Sequence, residues 1–457
     1  MSLNVVILAA GQGTRMKSKL PKVLHQVGGK SMLAHTISTA EKLGANRVIV
    51  IYGHGGDLVR ATLEDAKVEW VEQAERLGTG HAVQQAIPHF DTGNNSQVLV
   101  LYGDVPLVSE ETLRSLIMQQ PKQSMAILTT RLANPLGYGR IVREEKGIVE
   151  KIVEEKDATD EIKKIDEINT GILCAESESL IRWLGKLDNN NQQQEYYLTD
   201  CVGLAVAEGK IVEAIICKDP SEVMGVNSRI NLAEMEKVFQ SRLREELMTN
   251  GVTLKDPESL YIEGKPETGS DITIEPNVML RGNVKIGDDV TIGMNSVIIN
   301  SVIESGTVIH PNSVIEDSKI GENCEIGPFA RVRPNTELAS KVKLGNFVEV
   351  KKSTIASGSK VNHLSYIGDA QIGEQTNIGA GTICCNYDGV NKHQTIIGNN
   401  VFIGSDTQLI APVKINDGAT IGAGSTITRD VPAQKLTLSR SKQTTIKNWQ
   451  RPVKQSK

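Results

Sequence analysis

The sequence predicts an α/β domain followed by a parallel β-helix, with a helix between the two. Three observations predict this: aliphatic runs alternate with helix-like segments in the first 228 residues, residues 228–250 carry one apolar face, and from Ile274 an aliphatic residue returns every five or six positions. A chain of 457 residues fits two or three domains. We place the α/β domain at 1–229, the linker helix at 230–250 and the β-helix at 251–457.

The N-terminal prediction rests on short aliphatic runs with helical patterns between them, which is the order typical of an α/β sheet. The predicted strands are residues 5–8, 48–52, 98–101 and 126–128, and the predicted helices include 32–43 and 110–118. In the linker, Met235, Val238, Phe239, Leu243 and Leu247 share a face, and Asn250-Gly251 follows as a stop signal.

The C-terminal prediction rests on spacing. Aliphatic residues recur from Ile274 to Ile378, then again from Ile397 to Ile427, and residues 384–396 interrupt the period. Six-residue steps fit neither a helix nor a plain alternating strand, but they fit short parallel strands joined by tight corners, three to a coil. Aromatic residues are scarce in the C-terminal half, because narrow coils filled with Ile, Val and Leu leave little room for rings.

Composition excludes several classes of protein. The net charge is −5 and there is no Lys/Arg block, which argues against nucleic acid or an anionic membrane as the main partner. Six scattered cysteines without a C-x-x-C motif indicate reduced thiols. The apolar run at residues 5–10 is too short for a signal sequence, so we expect a cytoplasmic protein.

One motif points to phosphate binding. The first predicted strand ends in Leu8-Ala9-Ala10-Gly11-Gln12-Gly13-Thr14-Arg15-Met16, and Leu20-Pro21-Lys22 follows. A glycine loop after a strand lets backbone amides approach an anion, and the two cations would balance phosphate charge. The two glycines alone fit a simple tight turn equally well.

The whole string resembles the signature of the sugar-1-phosphate nucleotidyltransferase family. Gln73 with Leu77-Gly78-Thr79-Gly80 is similar to that family's base-recognition segment, and Tyr102-Gly103-Asp104-Val105-Pro106 to its metal-binding strand end. More specifically, blocks along essentially the whole chain resemble the bifunctional N-acetylglucosamine-1-phosphate uridyltransferase/glucosamine-1-phosphate acetyltransferase family; the blocks are 137–140, 152–154, 167–171, 195–200, 225–227, 363–366, 377–380 and 382–389.

This resemblance implies a Rossmann-like mixed sheet, a left-handed β-helix and roles for individual residues. Asp104 and Asn227 would hold Mg²⁺, and Lys22 and Arg15 would neutralise the triphosphate. Gln73, Gly78 and Thr79 would read uracil, and Gly139, Glu154 and Asn169 would hold the amino sugar. The remaining residues implied at the uridyltransferase site are Leu8, Ala9, Ala10, Gly11, Tyr102 and Gly103.

His363 is the candidate general base of the second half, because an imidazole titrates near neutrality and the attacking amine must lose a proton. A lone histidine at a coil corner is otherwise the commoner reading, but here the interruption of the repeat lies nearby. The resemblance implies that acetyl-CoA contacts Ala380, Ser405, Ala423 and Arg440, and that the sugar phosphate contacts Arg333, Lys351, Tyr366, Asn377, Asn386 and Tyr387. Cys384-Cys385 lacks a third ligand for a metal.

The implied enzyme acetylates glucosamine 1-phosphate from acetyl-CoA and then transfers UMP from UTP to N-acetylglucosamine 1-phosphate, releasing pyrophosphate. The family also implies a bacterial homotrimer that feeds peptidoglycan and lipopolysaccharide synthesis. The alternative is a single-activity nucleotidyltransferase whose hexad domain is structural or allosteric, which would need neither His363 nor the loop at Asn386. Preference between UTP and TTP stays open.

Overall fold

The computed structural model describes residues 2–53, 55–93 and 96–454. Residues 1, 54, 94–95 and 455–457, which the predicted domains include, lie outside the described residues. The chain forms two compact units, Met1–Gln240 and Ser241–Lys457, and each is described by itself below. No helix in the described ranges is long and apolar enough to cross a membrane.

The first unit is α/β, as the alternation of runs predicts. Its strands are β1 (Ser2–Leu8), β2 (Gln26–Val27), β3 (Lys30–Ser31), β4 (Arg47–Tyr52), β5 (Glu69–Glu72), β6 (Ser96–Tyr102), β7 (Met125–Arg131), β8 (Arg140–Arg143), β9 (Val149–Val153), β10 (Glu167–Glu176) and β11 (Glu213–Ile216). The helices are α1 (Met32–Lys42), α2 (Gly56–Thr62), α3 (Thr79–Ala86), α4 (Glu110–Gln119), α5 (Ser177–Leu184), α6 (Asp200–Ala207) and α7 (Arg229–Thr249), the last ending in the second unit.

The main sheet is mixed, in the order β11-β7-β10-β6-β1-β4-β5, and the β8–β9 hairpin pairs with β10. Strands β4 and β6 run parallel to β1, so Leu8 lies beside Ile51 and Tyr102 at the end of all three strands. Strand β10 is antiparallel to both β6 and β7. The loops that follow β1, β4 and β6 therefore leave from one edge of the sheet.

Helices cover both faces of this sheet. Val5 and Ile7 of β1 belong to one buried cluster, and Val6 and Leu8 belong to another. Successive side chains of a strand point to opposite faces, so an unbroken aliphatic run is what a strand buried on both faces requires. The continuous run at residues 5–8 was thus a signal of the core and not only of a strand.

The second unit is a stack of short parallel strands. In chain order they are β12 (Val252–Leu254), β13 (Tyr261–Glu263), β14 (Glu267–Thr268), β15 (Ile272–Ile274), β16 (Met279–Arg281), β17 (Lys285–Ile286), β18 (Thr291–Ile292), β19 (Val297–Ile299), β20 (Val302–Ile303), β21 (Val308–Ile309), β22 (Val314–Glu316), β23 (Ser318–Ile320), β24 (Glu325–Ile326), β25 (Arg331–Val332), β26 (Thr336–Leu338), β27 (Lys343–Asn346), β28 (Glu349–Lys351), β29 (Thr354–Ile355), β30 (Lys360–His363), β31 (Tyr366–Gly368), β32 (Ala370–Ile372), β33 (Asn377–Ile378), β34 (Ile383–Cys385), β35 (Thr395–Ile397), β36 (Phe402–Ile403), β37 (Gln408–Ile410), β38 (Val413–Ile415), β39 (Thr420–Ile421), β40 (Thr426–Ile427) and β41 (Leu436–Thr437).

Every third strand joins the same sheet, which makes a three-sided coil. The first face runs β12-β15 and onwards to β41, the second β13-β16 and onwards to β40, and the third β14-β17 and onwards to β38. The coil begins at Val252, earlier than the six-residue spacing from Ile274 indicates, because a 3-10 turn at Pro257–Ser259 breaks the period there. Ten spacings of about 4.8 Å along the first face make a stack on the order of 48 Å tall.

Corners of the coil need a left-handed backbone. Between the first and second faces, the early coils use Asn277, Asn295 and Asn312, with φ of 58 to 62°. Asparagine tolerates this region better than most residues. Phe329 and Phe347 occupy the same corner in the next coils, half exposed, with their ring centroids 5.3 Å apart and stacked.

Candidate active sites

The glycine loop follows β1 at the sheet edge where β4 and β6 also end. Gly13 has φ of +60°, and a Cβ there would lie 2.6 Å from Cβ of Lys22. A side chain at this position would therefore collide with Lys22 as well as strain the backbone. The loop and Lys22 form one compact structure, as expected if both face the same anion.

Lys22 bridges two oxygen-bearing side chains from distant parts of the chain. Its Nζ contacts Oδ2 of Asp104 and donates to Oδ1 of Asn227 at 3.1 Å. The amide of Val226 donates to the carbonyl of Asp104 at 2.9 Å, which holds the two segments together. The structure thus places Lys22, Asp104 and Asn227 at one point.

The donor set fits Mg²⁺. A carboxylate oxygen and an amide oxygen converge on one cation, and Mg²⁺ prefers oxygen ligands with its remaining positions filled by water and substrate phosphates. Within the described residues, no group of three or more His, Cys, Asp or Glu side chains could hold a metal ion. A site of this kind would bind the ion through few protein ligands and the nucleotide.

A cavity of about 290 Å³ opens beside Lys22. Residues predicted at the uridyltransferase site supply most of its wall: Leu8, Ala9, Ala10, Gly11, Lys22, Gln73, Gly78, Thr79, Tyr102 and Asp104. The wall also contains Arg76 and Glu195, which the sequence reasoning missed although each adjoins or lies in a quoted block. Sequence segments more than 90 residues apart therefore meet around one space.

The cavity end formed by Gln73 and Gly78 is rigid. The Gln73 side-chain amide donates to the carbonyl of Gly78 at 3.1 Å and lies 3.1 Å from Nδ1 of His81. Gly78 has φ of +109°, and a Cβ there would lie 2.5 Å from the carbonyl oxygen of Tyr196. Only glycine fits this position, and α3 begins directly after it at Thr79.

Gly139, Glu154 and Asn169 form a second group. The Asn169 amide donates to the carbonyl of Gly139 at 2.8 Å, and a Cβ on Gly139 would lie 3.3 Å from a carboxylate oxygen of Glu154. Burial raises the pKa of Glu154, although the Thr199 hydroxyl donates to this carboxylate at 3.1 Å and opposes the shift. None of the three lines the cavity beside Lys22.

Two predicted residues stand apart from these contacts. Arg15 is exposed in a short 3-10 turn, Thr14–Met16, and makes no hydrogen bond or ion pair with any described residue. Gly103 follows β6, and a Cβ there would lie 3.2 Å from a Leu33 methyl group, so its role in this structure is close packing. Arg15 is therefore free to meet a ligand.

In the second unit, one corner of the coil carries a column of predicted residues. Strands β27, β30, β33, β36 and β39 lie in register, with Leu344, Val361, Ile378, Ile403 and Ile421 pointing inwards. Two positions after these residues come Asn346, His363, Ala380, Ser405 and Ala423. Arg440 reaches the end of this column, where it donates to the carbonyl of Ala423 at 3.0 Å.

His363 is exposed at this corner, and its Nδ1 lies 3.1 Å from Oδ1 of Asn346 one coil away. An amide oxygen only accepts hydrogen bonds, so Nδ1 carries the hydrogen and Nε2 keeps a free lone pair. Asn346 was missed by the sequence reasoning. It could have been found, because it lies 17 residues, or one coil, before His363.

The second face carries the cationic residues. Tyr366 begins β31 just past the corner, and a Cβ on Gly368 would lie 2.5 Å from the Tyr366 hydroxyl, so this ring extends along the face. Gly368 is paired with Lys351 on the neighbouring strand. Arg333 forms an ion pair with Glu349 at 2.6 Å on the same face.

The interruption of the repeat is an ordered loop. The Asn386 side-chain amide donates to Asp369 at 2.6 Å in the interior, and the His393 amide donates to the carbonyl of Asn386 at 2.8 Å. Asp388 pairs with the ring of His393 at 2.7 Å, which fixes the tip. Lys392, on the same loop, lowers the pKa of Lys351, mainly through direct contact of the two amines.

Two further predicted residues are placed differently from the cationic group. Asn377 lies on the first face, in β33, and Tyr387 is 60% exposed on the loop. Cys384 is buried, and burial raises the pKa of its thiol to about 11, which favours the protonated thiol at neutral pH. In the described residues all six cysteines are free.

Comparison with known proteins matches both halves. Residues 5–156 match the MobA-like NTP transferase domain family, 262–343 the GMPPB C-terminal domain family, and 394–429 the bacterial transferase hexapeptide family, six repeats. Among solved structures, UDP-glucose pyrophosphorylase complexed with UDP-glucose is 18% identical, with a TM-score of 0.42, and the match covers 53% of this chain and 100% of that chain.

A curated relative covers the whole length. The bifunctional protein GlmU of Marinobacter nauticus is 53% identical over 452 residues, which are 99% of this chain and 99% of that protein. The cavity beside Lys22 and the corner at His363 both lie within this match. The chain therefore belongs to the family of bifunctional GlmU proteins and is both a uridyltransferase and an acetyltransferase.

Proposed function

We propose that the cavity beside Lys22 binds UTP and that the corner at His363 transfers the acetyl group. Together the two sites would make UDP-N-acetylglucosamine from glucosamine 1-phosphate, acetyl-CoA and UTP. The observation that carries this proposal is the convergence of residues 8–11, 22, 73, 78, 79, 102 and 104 around one cavity. Domain limits of 1–229, 230–250 and 251–457 would assign each activity to one domain.

In uridylyl transfer, a phosphate oxygen of N-acetylglucosamine 1-phosphate attacks the α-phosphorus of UTP, and the bond to the pyrophosphate oxygen breaks. The protein's work in such a reaction is positioning and charge stabilisation. Lys22 and Arg15 would neutralise phosphate oxygens, and the glycine-loop amides would hold the chain of phosphates. Gln73, Gly78 and Thr79 would contact the uracil end.

Asp104 and Asn227 would hold Mg²⁺ when the nucleotide is bound. Their oxygens both contact the Lys22 amine, and this arrangement supports the proposal of a cation-binding site there. When bound, the ion would supply positive charge that offsets the charge of the phosphates. Gly139, Glu154 and Asn169 would hold the amino sugar, with Glu154 accepting a hydrogen bond.

In acetyl transfer, the amine of glucosamine 1-phosphate attacks the thioester carbonyl, and CoA leaves as its thiol. Nε2 of His363 would take the amine proton, because Nδ1 is engaged with Asn346. Arg333, Lys351, Tyr366, Asn386 and Tyr387 would bind the sugar phosphate. A phosphate would offset the repulsion between Lys351 and Lys392.

Acetyl-CoA would lie along the corner column. Three coil spacings of about 4.8 Å separate His363 from Ala423, on the order of 14 Å, which suits an extended pantetheine arm. Ala380, Ser405 and Ala423 present small side chains that leave room for it. Arg440 at the end of the column would supply charge for the phosphates.

A homotrimer would complete the acetyltransferase site. Asn377 lies on the first face of the coil, whereas Arg333, Lys351 and Tyr366 lie on or beside the second. A closed three-fold assembly would bring a first face of one subunit towards a second face of another. We propose a bacterial cytoplasmic enzyme that supplies peptidoglycan and lipopolysaccharide synthesis.

The test measures both activities in one purified protein. Pyrophosphate release from UTP and N-acetylglucosamine 1-phosphate reports the first site, and CoA release from acetyl-CoA and glucosamine 1-phosphate reports the second. His363→Ala should abolish CoA release and leave pyrophosphate release unchanged. Survival of CoA release in this variant would remove His363 from the mechanism, and absence of either activity in the unmodified protein would overturn the proposal.

A further inference from the structure

Arg140 is a buried cation next to the proposed amino-sugar residues in the sheet. Its side chain is 2% exposed, and it begins β8, which pairs with both β9 and β10. In that register Arg140 lies opposite Val153 on one side and Ile168 on the other. A buried arginine is costly unless it is paired and hydrogen-bonded, so its contacts indicate what it holds.

The register places the proposed sugar-binding residues around Arg140. Gly139 precedes it in the chain, Glu154 follows its partner Val153, and Asn169 follows its partner Ile168. The Asn169 amide also donates to the carbonyl of Gly139 at 2.8 Å. Val153, Arg140 and Ile168 form one row across β9, β8 and β10. Each proposed sugar-binding residue is thus one residue away from a member of this row.

The guanidinium joins three separate segments. It donates to the carbonyls of Tyr138 and, at 3.5 Å, Lys163, and it forms an ion pair with Oε2 of Glu155 at 2.9 Å. The Glu155 contact is electrostatic only, since among the described residues neither Oε2 of Glu155 nor Nε of Arg140 has a hydrogen-bond partner. Tyr138 leads into Gly139, and Glu155 follows Glu154. The planar fork of arginine reaches two carbonyls and a carboxylate at once, whereas a lysine ammonium is a point charge on a flexible stem.

We propose that Arg140 is a positioning residue of the uridyltransferase site. It fixes the Gly139 carbonyl and the Glu154 carboxylate relative to each other and so sets affinity for N-acetylglucosamine 1-phosphate without touching it. This inference rests on the proposed function, because it requires that Gly139, Glu154 and Asn169 bind the sugar. It separates sugar binding from nucleotide binding, since none of its contacts lines the cavity beside Lys22.

The test compares Michaelis constants for the two substrates. In Arg140→Gln, we expect the KM for N-acetylglucosamine 1-phosphate to rise by about tenfold or more, while the KM for UTP stays within about twofold. Arg140→Lys should give a smaller rise, and Glu155→Gln, which keeps the shape and removes the charge, should shift the same constant in the same direction. If Arg140→Gln does not fold, the other two variants carry the test.

Arg143 supplies a matched control on the same strand. It donates to Glu167 at 2.9 and 2.6 Å and is likewise an ion-paired arginine of β8, but it belongs to a different row of the sheet. Arg143→Gln should lower thermal stability and leave both Michaelis constants unchanged. An equal rise in sugar-phosphate KM for Arg143→Gln, or no rise for Arg140→Lys and Glu155→Gln, would overturn the inference.

Glu154→Ala separates this inference from the function on which it rests. A rise in sugar-phosphate KM for Glu154→Ala, with none for the Arg140 and Glu155 variants, would overturn the positioning role and support the sugar site. No rise for Glu154→Ala would overturn the sugar site and the positioning role together.

Discussion

The ring of His363 and the side chain of Asn346 meet one coil apart, with 3.1 Å between Nδ1 and Oδ1. This contact fixes the ring orientation and the tautomer, and leaves Nε2 as the basic atom. It resembles no sequence motif, since the two residues belong to different hexads. The proposed general base is therefore oriented by the stacking of the coils.

Asn346→Ala should impair acetyl transfer. Without the amide oxygen the imidazole can rotate and change tautomer, so kcat for CoA release should fall by about tenfold or more, and its pH profile should change. Pyrophosphate release should be unaffected. Asn283→Ala, which alters an exposed asparagine in an early coil, is the control. Normal CoA release in Asn346→Ala would show that the ring needs no such support.

Asp104→Asn should impair uridylyl transfer and its response to Mg²⁺. The amide keeps the shape but loses the charge that holds the cation, so pyrophosphate release should fall by about a hundredfold or more. EDTA should stop pyrophosphate release in the unmodified protein and spare CoA release. Asp57→Asn, at an exposed acid in α2, should behave like the unmodified protein. Mg²⁺ dependence that is unchanged in Asp104→Asn would remove Asp104 from the site.

Gly78→Ala should weaken UTP binding. The new Cβ would lie 2.5 Å from the Tyr196 carbonyl oxygen at a φ of +109°, so the segment that carries Thr79 must shift. We expect the KM for UTP to rise by about tenfold. Gly203→Ala is the control, because a Cβ in the middle of α6 meets nothing within 4 Å. Equal effects of the two substitutions would contradict the proposed uracil end.

Glu154→Gln should stabilise the first unit at neutral pH. Burial raises the folded-state pKa of Glu154 above 4.5, so ionisation favours the unfolded state as pH rises from 4.5 through the folded-state value. The glutamine variant escapes this cost. Its gain in unfolding free energy should be present at pH 7 and shrink towards pH 4, where both states are protonated.

Urea titrations followed by tryptophan fluorescence in a Trp449→Phe background would measure this gain, since Trp70 and Trp183 both lie in the first unit. Glu145→Gln, at an exposed position, is the control. A gain that is the same at pH 4 and pH 7 would show that ionisation of Glu154 is not its cause.

The hexad coil was predictable because its interior admits only aliphatic side chains at fixed steps. Contacts between adjacent coils are predictable too, once the period is known: Asn346 with His363 and Asp369 with Asn386 are both separated by 17 residues. The meeting of Lys22 with Asn227 is different. These residues are 205 positions apart, and no periodicity links them, so only the resemblance brought them together in advance.

Arg140 illustrates what sequence could not supply. The block 137–140 gave no role to the Arg140 side chain, which is 2% exposed in the structure. Which way a strand residue points depends on register, and β8 pairs with β9 at four positions and with β10 at one, Arg140 with Ile168. The Phe329–Phe347 pair was likewise unexpected, because aromatic residues seldom adopt positive φ.

In the described part of the second unit, the strands of each coil pair with strands of the coil before it and of the coil after it. Each coil therefore adds one fixed increment of about 4.8 Å to the length of the stack. Removing or adding a complete coil between β15 and β24 would move all later coils by one coil spacing and leave the column from Asn346 to Ala423 intact. Removing a single hexad, a third of a coil, would rotate that column onto another face. The length of this unit can therefore change during evolution only by complete coils.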